Sequence, residues 1–116
     1  MAVFELSQAS QFDEVLKDHP MVLADFFGSW CGPCQMIKPV LEQVSEHYEG
    51  KIQFVSVDID ALPELADRYD TESLPTLIFF FQQKKVFQIS GYRDEETLCR
   101  LIDTALSRLQ TASDPA

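Results

Sequence analysis

The sequence predicts an α/β fold, a central mixed β-sheet of four to five strands flanked by helices on both faces. Three observations carry that expectation. Met21–Phe27 is an almost unbroken apolar run, as expected of a strand covered on both sides. A helical pattern separates it from a second strand-like run at Ile52–Val57, and such strand–helix–strand units are right-handed with parallel strands almost without exception. Thr76–Phe81 and Lys85–Ser90 lie too close together for a crossover helix, so they pair antiparallel.

Val3–Leu6 is an optional opening strand. Ser7 can cap a first helix over about Gln8–Lys17, with Phe12, Val15 and Leu16 on one face. His19-Pro20 ends it, because the residue before proline is pushed out of the helical region. After the strand Met21–Phe27, Gly28-Ser29-Trp30 reads as a loop. The long helix runs from about Cys34 to Tyr48 on the apolar positions Ile37, Val40, Leu41, Val44 and Tyr48, with Pro39 expected to kink it and Gly50 to stop it. A short helix fits Pro63–Tyr69, with proline near its first turn. Gly91 closes the last strand. The final helix spans about Asp94–Leu109 with Leu98, Leu101, Ile102, Ala105 and Leu109 as its buried stripe.

At 116 residues the chain has the length of one domain, expected over 1–110, with 111–116 as a short flexible tail. Hydrophobic residues make up 46%, enough for a packed core without metals or structural disulfides. The net charge of −10 argues against nucleic acid or an anionic membrane as partner and favours a self-repelling monomer. No basic segment followed by a long apolar stretch opens the chain, and the longest uniformly apolar run, Leu77–Phe81, is far too short to span a bilayer. A cytoplasmic location is the expectation.

Three cysteines, at 31, 34 and 99, make one close pair and one bystander rather than a disulfide framework. With only His19 and His47 available, no second pair completes a zinc site, and Gln35 after Cys34 excludes the haem-attachment pattern. Trp30-Cys31-Gly32-Pro33-Cys34 sits between a buried strand and a long helix. The first helical turn presents unpaired N–H groups and a partial positive charge, which stabilise a thiolate. Cys31 lies at the mouth of that turn and can face solvent; Cys34, three residues on, lies deeper. That asymmetry supplies an attacking thiol and a resolving thiol, closed on each other as a disulfide. Pro33 stiffens the turn and Gly32 leaves room for a substrate chain. Asp25 interrupts the apolar strand, and a buried carboxylate is costly unless protonated or paired, so its pKa should be raised. A carboxylate solvated near a strand end is the alternative.

The pentapeptide Trp30–Cys34 resembles the motif of the thioredoxin family, and the resemblance extends from about Phe4 to Leu109. Supporting matches are Asp25, Pro39, Asp60, Leu74-Pro75-Thr76 and Gly91. The resemblance implies the thioredoxin fold and a protein-disulfide reductase acting in cell redox homeostasis. It implies that Asp25 assists proton transfer to and from Cys34, that Leu74–Pro75 is a cis bond beside the cysteines, and that Trp30, Gly32, Pro33, Leu74, Pro75 and Gly91, with Tyr92, surround the thiol as a substrate-binding patch. It further implies diverse disulfide-containing protein substrates and recycling by a thioredoxin reductase that uses NADPH. The chain has neither Gly-x-Gly-x-x-Gly nor a P-loop, so it should bind no cofactor of its own.

Departures from the family are specific. Ser56 occupies the position where many thioredoxins carry a lysine, so Asp25 loses that favourable neighbour and is expected to have a higher pKa than with lysine present. Phe27 stands where tryptophan is common. Gln82-Gln83-Lys84 lacks the usual glycine, so that turn is expected to be less regular. Cys99 falls one step off the final helix's buried stripe, as a half-buried hydrophobe or a regulatory thiol. Two other functions compete: an oxidase or isomerase of secreted proteins, opposed by the Gly-Pro pair and the missing signal, and a non-catalytic binding module, opposed by retention of both cysteines and Asp25.

Overall fold

The apolar run Met21–Phe27 forms strand β2 at the centre of the sheet, with its last six residues fully buried. The computed structural model describes residues 3–113, with side chains through Leu109. Around β2 the chain places β1 (Val3–Glu5), α1 (Ala9–Asp18), α2 (Gly32–His47), β3 (Gln53–Asp58), α3 (Pro63–Arg68), β4 (Thr76–Phe81), β5 (Lys84–Ser90) and α4 (Glu95–Ser113). The five strands lie in the order β1-β3-β2-β4-β5. The parallel β2–β3 pair and the antiparallel β4–β5 pair are those expected; β2 also pairs antiparallel with β4.

Alternation along β2 divides the core between the two faces, because successive strand side chains point to opposite sides. Val22, Ala24 and Phe26 join Phe12 and Leu16 of α1 and Leu65 of α3. Leu23 joins Ile37, Leu41 and Val44 of α2 and Leu98 and Ile102 of α4. On the first face Phe12, Phe26, Tyr69 and Phe80 form an aromatic cluster with ring centroids 5.3–6.1 Å apart. Burying each of the three fully covered phenylalanines contributes on the order of 2–3 kcal/mol, before edge-on ring contacts add to it.

Element ends differ from the sequence reading in physically explicable ways. Ser7 does not cap α1. Instead the Gln11 side-chain oxygen turns back and accepts from the backbone N–H groups of Ser7 (2.7 Å) and Gln8 (3.1 Å). Helix α2 begins two residues before Cys34, at Gly32, because Cys31 itself occupies the cap position. Helix α4 starts after Asp94, whose carboxylate accepts from the Thr97 N–H at 2.9 Å, and runs four residues past Leu109. Residues 111–113 of the expected tail are therefore helical, and 114–116 lie outside the described residues. The β4–β5 turn is a two-residue loop, Gln82-Gln83, with φ of 48° and 70°. Hairpin twist demands positive φ at both central residues of such a loop, and here it imposes that on two glutamines. The expectation of a less regular turn is thus corrected, since the loop is a tight two-residue one despite its lack of glycine; the irregularity in this hairpin is a register shift within the strands, between Phe79 and Phe80.

Helices α2 and α4 are tied where they meet. The Tyr48 hydroxyl donates to Asp103 at 2.6 Å, and burial pushes that hydroxyl's pKa upward. Cys99 is half-buried against the same face, its thiol pKa raised chiefly by burial.

Candidate active site

The carboxyl end of β2 delivers Phe27 and Gly28 into a tight turn, in which the Cys31 N–H donates to the Gly28 carbonyl at 3.1 Å. Gly28 lets the Trp30 indole lie close over the turn: a Cβ there would sit 2.8 Å from the ring. The chain then enters α2 with Pro33 in the first turn, where its missing N–H costs no helical bond. Cys31 Sγ accepts from the backbone N–H of Cys34 at 3.2 Å, so the helix terminus points a donor at this sulfur.

Cys31 and Cys34 are joined as a disulfide, with Cα atoms 5.3 Å apart. Cys31 is 6% exposed and Cys34 is fully buried. The expected order of access holds, although the window on Cys31 is narrow because Phe27 and Leu74 pack against the pair. Leu74 and Pro75, far away in sequence, arrive on the loop before β4, and the bond between them is cis. The Pro75 carbonyl accepts from the Gly91 N–H at 2.8 Å, which joins the β5 exit to this loop. Gly91 needs its φ of +90° there. Trp30, Gly32, Pro33 and Tyr92 are exposed, Leu74 and Gly91 are half-buried, and Pro75 is buried, so Pro75 contributes backbone rather than surface.

Trp30 is the most exposed of the large apolar residues and its indole N–H donates to Asp60 at 2.9 Å. Asp60 rides on a turn after β3 organised by Asp58, whose carboxylate accepts from the Asp60 N–H at 2.9 Å. Met36 is also exposed, on α2 just past Cys34. It was not singled out in the sequence, although an apolar residue off the stripe Ile37, Val40 and Leu41 is a signal of that kind.

Asp25 lies on the same face of β2 as Phe27, in register with Ser56 of β3 and Leu77 of β4. It is 3% exposed, and its Oδ1 has no protein hydrogen-bond partner among the described residues. Burial pushes its pKa up to about 7, against a lowering by the Lys38 charge. Ser56, its neighbour on β3, brings no charge, and the cation that acts on Asp25 is Lys38. Lys38 comes from the facing helix, a position that strand register does not reveal. Among the described residues no group of three or more His, Cys, Asp or Glu side chains could hold a metal.

Comparison with known proteins agrees with this geometry. The family model described as thioredoxin matches residues 2–104. The chain is 44% identical over 92 residues to a thioredoxin-like protein of Synechocystis, covering 78% of this chain and 88% of that one. It is 38% identical over 106 residues to a thioredoxin of Staphylococcus aureus, covering 91% of this chain and 100% of that one. Among solved structures, a thioredoxin variant from Halobacterium salinarum superposes with a TM-score of 0.81 at 34% identity over 89% of each chain. The thioredoxin of Plasmodium falciparum does so with a TM-score of 0.81 at 30% identity, over 87% of this chain and 97% of that one. A Cys31 with a narrow opening to solvent, a sequestered Cys34 and a helix terminus aimed at their disulfide suit exchange with other disulfides, and the chain belongs to the thioredoxin family as a thiol–disulfide oxidoreductase that reduces protein disulfides.

Proposed function

We propose that Cys31 is the attacking thiol, Cys34 the resolving thiol and Asp25 the group that moves a proton to and from Cys34. In the reduced chain the Cys31 thiolate attacks one sulfur of a substrate disulfide. A Cys31–substrate bond forms, the substrate S–S bond breaks, and the departing substrate thiolate takes up a proton from solvent. The Asp25 carboxylate, acting through water, then accepts the Cys34 proton. The Cys34 thiolate attacks Cys31 Sγ, releasing the second substrate thiolate, which takes the proton now held by Asp25 and leaves that carboxylate ionised again. The substrate gains two electrons and two protons, and the chain is left as the Cys31–Cys34 disulfide.

The observation that carries this assignment is the difference in access between the two sulfurs: only Cys31 has any exposed surface, and it holds the helix cap. Asp25 suits proton transfer because a carboxyl titrating near 7 is present in both charge states at neutral pH. Trp30, Gly32, Pro33, Leu74 and Gly91 form the uncharged surface on which an extended substrate segment docks, with the Leu74–Pro75 backbone beside the sulfurs. Pairing through backbone rather than side chains suits many substrates. Reducing equivalents come from NADPH through a separate thioredoxin reductase, and the protein works as a cytoplasmic monomer. No described helix is long and apolar enough to cross a membrane.

Insulin reduction driven by dithiothreitol tests the assignment. Cys31→Ser should abolish turnover. Cys34→Ser should stall as a mixed disulfide that is visible by mass. A Cys31→Ser variant that turned over at the parent rate would refute it.

A further inference from the structure

Asp25 and Ser56 form the buried floor of a pocket of about 350 Å³ between α2 and the β1–β3 edge. Lys38, Glu42 and Glu5 stand around its more exposed rim. Asp25, whose Oδ1 is buried without a hydrogen-bond partner among the described residues, thus lines a pocket that also borders Lys38 of α2. Lys38 follows Cys34 by four residues, which places it one helical turn further along the same α2 face. Phe27 follows Asp25 by two residues and shares its strand face. The Lys38 ammonium lies over the Phe27 ring, 4.5 Å from its centroid. A cation so placed is drawn to the ring face, and no ion pair among the described residues competes for it.

We propose that Lys38 is a positioning residue for disulfide exchange: anchored over Phe27 at the mouth of this pocket, it supplies from α2 the positive charge that Ser56 does not supply from β3, and so sets the pH at which Asp25 exchanges its proton. The proposal rests on the proton-transfer role of Asp25 assigned above. The other charged groups around the pocket are Glu42 of α2 and Glu5 of β1, which act in the opposite sense. The strand neighbours facing Asp25, Ser56 of β3 and Leu77 of β4, carry no charge. Phe27 acquires a purpose here beyond packing, because its ring holds the ammonium on this face of β2.

Carbon-13 NMR of the Asp25 carboxyl in the oxidised full chain, titrated across the neutral range, reads the coupling directly. Lys38→Met should raise the Asp25 midpoint by roughly half to one pH unit, as loss of a partly solvated opposite charge requires. Lys38→Arg should hold the parent midpoint, and the double variant Lys38→Met/Ser56→Lys should bring it back down. Lys38→Gln serves the same purpose if the methionine variant folds poorly. The pH profile of insulin reduction should move with the midpoint in Lys38→Met and stop responding to Lys38 once Asp25→Asn is added. An unmoved NMR midpoint in Lys38→Met overturns the proposal whatever the rates do. A midpoint that moves while Asp25→Asn reduces insulin at full speed overturns it from the other side, because the role of Asp25 is then what has failed.

Discussion

Asp25→Asn should stabilise the oxidised protein, and by an amount that grows with pH. The side chain is buried and its pKa stands at about 7 in the folded chain against an ordinary value of 3.8. Between those values the folded state holds a proton that the unfolded state has released, so stability falls as pH rises. The penalty is absent below the ordinary value and fully present above about 7. At about 1.4 kcal/mol per pH unit of separation, it amounts to about 4 kcal/mol. Asparagine keeps the shape and carries no charge, so the variant escapes the penalty. The assay is urea unfolding of both oxidised proteins at a series of pH values, taking the difference between them so that other titrating groups cancel. With a slope of about 2 kcal/mol per molar urea, the midpoints should separate by about 2 M more at about pH 8 than at about pH 4. A difference that stays flat across this range would show that Asp25 is ionised in the fold at little cost, and the reasoning from burial would be wrong.

Two further expectations concern backbone geometry. Gln83→Gly relieves a left-handed side-chain-bearing residue in the β4–β5 turn and should stabilise the protein by about 1 kcal/mol, read as a rise in Tm of roughly 4 °C; an unchanged or lowered Tm would mean that the turn carries no strain. Gly28→Ala would place a methyl 2.8 Å from the Trp30 indole, and because that ring is exposed it should swing away rather than unfold the chain. Stability should change by less than about 1 kcal/mol, while the emission of this single tryptophan shifts as its bond to Asp60 breaks; unchanged fluorescence would refute the predicted displacement.

What could be read from the sequence was what local pattern encodes. The almost unbroken apolar run 21–27 announced a strand buried on both faces; the charge of Asp25 inside it left a perturbed buried carboxyl and a solvated one both open, and the fold decided for burial. The placement of Cys31 and Cys34 at a strand-to-helix junction already carried the asymmetry of access, because one helical turn separates cap from interior. The short gap between β4 and β5 dictated their pairing. Resemblance to a family added the cis bond at Leu74 and the nearness of that loop to the cysteines, which no spacing argument supplies.

Tertiary structure decided the rest. The extension of α4 to Ser113 and the Gln11 closure of α1 lay within the uncertainty of local signals, since helix ends answer to whichever donor or acceptor reaches them first. The two glutamines at positive φ show the sheet twist overriding residue preference. The contact of Trp30 with Asp60 and the packing of Leu74 on the cysteines join residues tens of positions apart. The cation for Asp25 is the sharpest case. In strand register the neighbour is Ser56, and on that evidence the carboxyl stood alone; across the layer it is Lys38 of α2. Periodicity identifies which residues share a strand or a helix face, while the charge a buried group feels depends on distance through space, which only the packing of α2 on the sheet determines.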